Sequence, residues 1–109
     1  MTSVRFFLKD GKYVGVTCEG HSDYAEEGSD IVCAAVSSVV QTAVLGLMCK
    51  AGISVEYEVD EEAARLSAML PDKLTERQAH DADVILATAC LGVSDLYEQY
   101  SDFIDLEVK

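Results

Sequence analysis

Cys33 and His21 are the residues whose types and spacing could support covalent chemistry. A thiolate attacks carbonyl carbon, and an imidazole can take the thiol proton and hand it to a leaving amine. A Cys–His pair is therefore the minimum for nucleophilic acyl transfer. Cys33 opens an apolar segment for which Asp30 is a suitable helix N-cap, placing Cys33 at the third helical position. A thiol there feels the positive end of the helix dipole and unpaired N–H groups, which favour thiolate. Those N–H groups, that of Cys33 included, could also form an oxyanion hole. Asp30, Cys33 and Ser37 stand at i−3, i and i+4, so they share one helical face. His21 leads the loop that ends at this helix. Asp23, Glu26, Glu27 and Asp30 act in the opposite sense, raising a thiol pKa while favouring imidazolium. Spacing alone does not rank the two influences.

The other reactive side chains have plainer readings. A cysteine in an apolar helix is usually a small core residue, and Cys18, Cys49 and Cys90 read as core. Cys18 and His21 stand at a metal-like spacing, but no second pair completes the ligand set, so no metal and no other cofactor is expected. His80, beside Asp81 and Asp83, reads as a solvated surface residue. The acidic stretches at 56–62 and 95–107 lack the spacing of a calcium loop and read as solvated faces. Tyr24 reads equally as a contact or a lid residue.

Seven elements would position these groups. Residues 4–8 and 13–18 are β-branched and aromatic runs joined through Asp10-Gly11, a type I′ hairpin signal. Residues 20–29 are polar with glycine near both ends and read as a loop. Residues 31–50 are apolar on nearly every face, which predicts a buried helix stopped by Gly52. Ile53, Val55, Tyr57 and Val59 alternate with polar residues as a half-buried strand, and Ala64, Leu66, Ala68 and Leu70 alternate in turn. Thr75 and Gln78 form a capping-box signature before Ala82, Ile85, Leu86, Ala89, Val93, Leu96, Tyr97 and Tyr100 at helical spacing. Ile104, Leu106 and Val108 close the series as a strand. The order ββαββαβ predicts an α/β (two-layer α+β) domain over residues 1–109, a mostly antiparallel sheet carrying two helices. One sheet cannot cover the first helix all round, so the second helix or a second copy is expected against it.

Composition narrows the function. The 109 residues are 50% hydrophobic and 26% charged, an ordinary globular balance. Eight basic against 20 acidic residues give a net charge of −12. Such a charge, without a basic stripe, argues against binding nucleic acid or an anionic membrane and favours basic partners. No apolar run approaches the ~20 uninterrupted residues of a membrane span, and no signal-peptide pattern opens the sequence. A cytoplasmic protein with four reduced cysteines is expected.

From Gly20-His21 through a glycine-containing loop to Gly28-Ser29-Asp30-Ile31-Val32-Cys33-Ala34-Ala35-Val36-Ser37, the sequence resembles the signature of the ribosomal-processing cysteine protease family, Prp. The similarity extends over nearly the whole chain. It implies a homodimeric Cys–His endopeptidase of the bacterial cytoplasm. The implied substrate is a ribosomal protein precursor: large-subunit ribosomal protein twenty-seven, cut after a short segment rich in apolar and aromatic residues. His21 resembles the general base and Cys33 the nucleophile. Asp30 and Ser37 match supporting positions, and Gly20 and Gly28 resemble hinges of a substrate-covering loop. Two other readings compete: a non-catalytic acidic module that holds a basic ribosomal partner, and a thiol redox or metal protein built on Cys18, His21 and Cys33.

Overall fold

The computed structural model describes residues 1–20 and 29–109. It contains β1 (Thr2–Lys9), β2 (Lys12–Gly20), α1 (Ser29–Cys49), β3 (Glu56–Asp60), β4 (Arg65–Met69), α2 (Glu76–Gln99) and β5 (Ile104–Val108). The predicted order is therefore observed. The strands form one sheet in the order β3-β4-β2-β1-β5, antiparallel except for the parallel pair β1 and β5. Since β2 and β3 are both antiparallel to β4, they run in the same direction, and α1 is the crossover between them. In the same way α2 connects β4 to the parallel β5. Each crossover thus spans strands that pair between its two ends, and both helices lie on one face.

The hairpin turns as its residues dictate. Asp10 and Gly11 take positive φ, 54° and 81°, as a type I′ turn requires. A simple two-residue register would put Lys9, Lys12, Val14 and Val16 on one face. A β-bulge resolves the conflict: Phe7 pairs with Gly15 but Leu8 pairs with Tyr13, leaving Val14 as the extra residue. Tyr13 thereby turns to the core face and packs edge-on against Phe6, with ring centroids 6.0 Å apart. Its N–H donates to Asp83 Oδ1 of α2 at 2.8 Å. An unpaired N–H there would cost about 1–3 kcal/mol, so one carboxylate secures the bulge and ties α2 to the sheet.

The core lies between the sheet face of Val4, Phe6, Val16, Cys18, Leu66 and Ala68 and stripes from both helices. The α1 stripe is Val32, Val36, Val40, Val44 and Leu47; that of α2 is Ala82, Leu86, Ala89, Cys90 and Val93. The capping box at Thr75 and Gln78 is present in both directions, at 3.0 and 3.1 Å.

Four expectations are corrected. Residues Ile31–Cys49, with a mean hydropathy of 2.0, are long and apolar enough to cross a membrane by length and composition; the scattered polar side chains dilute the run less than the sequence reading assumed. One side of that helix is nonetheless built into the core. Cys49 is exposed at the helix end, not part of the core. The third strand is Glu56–Asp60 and exposed throughout, because it is the sheet edge and α1 does not cover it; Ile53 is buried before the strand begins. The ends of the expected loop over residues 20–29 are reassigned, since Gly20 belongs to β2 and Ser29 to α1; residues 21–28 lie outside the described residues.

Candidate active site

Cys33 sits half-buried on α1, facing a cleft of about 300 Å³ between that helix and the β3–β4 hairpin. Cys33, Ser37 and Gln41 succeed one another at intervals of four, so one helical face carries a thiol, a hydroxyl and an amide along one wall. Gln41 Nε2 donates to Ser37 Oγ at 2.9 Å. Thr42, Thr88 and Ser94 donate back to the carbonyl four residues earlier, each at 2.7 Å. Ser37 instead accepts from Gln41, which leaves its hydroxyl proton for a partner in the cleft.

The opposite wall comes from the sheet edge. Tyr57, Val59 and Leu66 give it an apolar surface, with Tyr57 40% and Val59 55% exposed. Asp60, Glu61 and Arg65 rim it, and a larger shallow recess continues outward over Glu58, Glu62 and Ser67. Four carboxylates against one guanidinium make this rim attractive to a basic segment of peptide. The loop of the hairpin, residues 61–64, ends at Ala64 in the left-handed region with φ 51°. That conformation is uncommon for alanine. Here it turns the Ala64 carbonyl to accept the Gly20 N–H at 3.0 Å, tying the hairpin to the end of β2.

Gly20 carries the most restrictive contact of the site. A Cβ at this position would stand 2.7 Å from Cys33 Sγ. The sulfur therefore occupies the space that a side chain would need. Gly20 pairs with Thr2 at the close of β2. This corrects the hinge expectation for Gly20: a paired strand residue makes room rather than bending. Cys18, two residues earlier on the same strand face, lines the same cleft. Burial and, secondarily, the charge of Cys33 push its thiol up to about 11.

Asp30 is also corrected. The helix begins at Ser29, so Asp30 is its second residue and not its cap, and Cys33 is the fifth. The N–H of a fifth residue points at the carbonyl of the first, so the Cys33 N–H is not one of the free donors at the helix start. His21, Asp23, Tyr24, Glu26, Glu27 and Gly28 lie outside the described residues. Among the described residues no three metal-ligating side chains converge, and His80 stands exposed beside Asp81 at 3.4 Å. Sequence reasoning missed Gln41, Tyr57, Val59, Ala64 and Arg65. The polar interval Cys33, Ser37, Gln41 in an apolar helix was the available signal for the first. The stretch at 56–62, read as a solvated face, is in part the wall of the cleft.

The family model described as cysteine protease Prp matches residues 1–105. The chain belongs to the cysteine protease Prp family. The ribosomal processing cysteine protease Prp of Bacillus subtilis (strain 168) is 26% identical over 83 residues, 76% of this chain and 74% of its own. The Prp of Staphylococcus aureus (strain Mu50 / ATCC 700699) is 27% identical over 100 residues, 92% and 91% of the two chains. A crystal structure of Prp from S. aureus with a substrate peptide superposes with a TM-score of 0.88 at 26% identity, covering all of both chains. A second, with a covalently linked product peptide, gives 0.83 at 27% identity, again over both whole chains. A Streptococcus mutans structure gives 0.84 at 26% identity, over 99% of this chain and 93% of that one. This Prp-family chain is accordingly a cysteine protease and not a non-catalytic module.

Two outcomes follow from the Prp-type site. Gly20→Ala displaces the sulfur without straining the backbone, and a misplacement on the scale of 1 Å lowers kcat/KM about a hundredfold. Peptidase assays beside circular dichroism check this; a folded variant within twofold of the parent contradicts the contact. For Cys18 the folded pKa lies above the ordinary 9.0. The stability it contributes is complete below about pH 9 and is lost as pH rises toward the folded value. Urea midpoints measured from about pH 8 to about pH 10.5 should fall more steeply for the parent than for Cys18→Val.

Proposed function

We propose that this chain is a Cys–His endopeptidase that removes the N-terminal extension of large-subunit ribosomal protein twenty-seven in the cytoplasm. The observation that carries the dyad is the seat of Cys33 Sγ against Gly20, because Gly20 is bonded directly to His21. His21 takes the Sγ proton, and the thiolate attacks the scissile carbonyl. The proton then passes from His21 to the departing amine, and water hydrolyses the thioester. The free N–H groups of the first turn of α1 are the donors available to the developing oxyanion. Ser37 supplies a hydroxyl on the same wall, and Gly28 and Asp30 lie within the segment that joins His21 to Cys33. The covalently linked product in the S. aureus relative is what a nucleophilic thiol would yield.

The cleft supports the substrate class. Tyr57, Val59 and Leu66 offer an apolar surface to large side chains, while the acidic rim favours the basic sequence typical of ribosomal proteins. The net charge of −12 supports this attraction and disfavours direct contact with nucleic acid phosphates. Free thiols at Cys18, Cys33, Cys49 and Cys90 fit a reducing compartment.

A homodimer completes the reading. Ile31 and Leu45 of α1 and Leu91 of α2 are 76%, 56% and 71% exposed. An apolar groove of about 390 Å³ runs between the helices over Val39, Ala43, Val84 and Ile85. A second copy on the helical layer would cover what the sheet does not.

Mass spectrometry of the ribosomal protein precursor, incubated with this chain or with Cys33→Ala, tests the function. The extension should be lost only with the parent protein, and cleavage by a folded Cys33→Ala would remove the nucleophile assignment. Light scattering at micromolar concentration should give twice the chain mass, and a single-chain mass would withdraw the dimer.

A further inference from the structure

Cys18 is a nucleophile that peptide hydrolysis does not use. It is buried, 6% exposed, yet it lines the same cleft as Cys33. Cys18 and Gly20 are two apart on β2 and so point to one face of the sheet, and the Cys33 sulfur lies over Gly20. The second thiol therefore lines the cleft two residues along the strand from the glycine on which the Cys33 sulfur rests. The other two cysteines are placed differently. Cys49 lies 16 residues further along α1, about 24 Å away at the helical rise. Cys90 is buried on α2. Cys33 itself is open to the cleft, where a small oxidant can enter.

We propose that Cys33 and Cys18 form an oxidative modification site, in which a small peroxide oxidises Cys33 and Cys18 resolves the product as an intramolecular disulfide. In the first step the Cys33 thiolate attacks one peroxide oxygen. The O–O bond breaks, hydroxide leaves, and the sulfur becomes a sulfenic acid by losing two electrons to the peroxide. In the second step the Cys18 sulfur gives up its proton and attacks the Cys33 sulfur. The S–O bond breaks, the hydroxide departs with the proton as water, and the S–S bond forms. The nucleophile is then masked, and it is protected from further oxidation to sulfinic acid. A thiol reductant restores both cysteines. Proteolysis would pause under peroxide and resume afterwards.

The site rests on the reading of Cys33 as the reactive thiol, and a mass readout keeps the two separable. Chains carrying Cys49→Ser are treated with a few equivalents of hydrogen peroxide, alkylated and cut after glutamate. Glu19 lies between the two cysteines, so Cys18 and Cys33 fall on different peptides. The expected product is a linked pair about 2 Da lighter than the sum of the two. Turnover should drop more than tenfold and return on adding dithiothreitol. With Cys18→Val added, the linked pair should vanish, Cys33 should reach sulfinic acid, and dithiothreitol should not restore turnover. Sulfinic acid at Cys33 without a linked pair in the chain that retains Cys18 overturns the proposal, as does equal recovery with and without Cys18. Should Cys18→Val fail to fold, the linked pair in the chain retaining Cys18 decides alone. A linked pair with no precursor cleavage would defeat the substrate assignment and leave this site standing; cleavage with no linked pair would do the reverse.

Discussion

A sulfur atom and a missing side chain share one volume at the end of β2. Cys33 Sγ stands only 2.7 Å from where a Cβ on Gly20 would be, and much of the site is arranged to permit that approach. The strand must end on a residue without a side chain. The helix must start close enough to the strand for its fifth residue to reach back over it. The hairpin must hold the strand end in place, which it does through the Ala64 carbonyl at the cost of a left-handed alanine. Backbone strain of this kind costs of the order of 1–3 kcal/mol, and it persists where surrounding structure over-determines it. Here the surroundings are β4, the Asp60 side chain that accepts from the Ala63 N–H, and the strand end itself.

The same economy appears in the layers. Two crossover helices on one face leave the sheet with a polar outer side, and the bulge at Val14 corrects the one place where the alternation of β2 would have failed. Tyr13 reaches the core only because of that extra residue, and its N–H finds Asp83 because α2 passes overhead. Packing and polar satisfaction therefore agree at the position where the strand pattern alone conflicts.

Much of this was legible beforehand. The Asp10-Gly11 turn, the capping box at Thr75 and Gln78 and the helical spacing from Ala82 onward are local signals, and local signals survive into the fold. Cys33 was singled out by its chemistry and by the family signature, and the structure places it at the cleft; its expected partner His21 lies outside the described residues. What was hidden depends on contacts between segments distant in sequence. Helix capping by Asp30 was inferred from residue type, whereas the observed start, at Ser29 instead of Ile31, lies two residues earlier and shifts every position in the first turn. Gly20 looked like a hinge because glycine has two uses, freedom and smallness, and only the neighbouring sulfur shows which applies. Tyr57 and Val59 looked half-buried because alternation reveals a face and not whether a helix covers it.

The β3–β4 hairpin has a consequence of its own. It forms the edge of the sheet, every residue of β3 is exposed, and it is joined to β2 through β4, from Gly15 and Met69 to Glu19 and Arg65, with the Ala64 carbonyl extending the join to Gly20. The seat of the Cys33 thiol, on α1 and the end of β2, and the apolar wall it faces, on the hairpin, thus belong to different elements. Drift in the hairpin can reshape that wall while the seat of the thiol is inherited unchanged. Selection can then tune the scissors and the pattern they follow at different speeds.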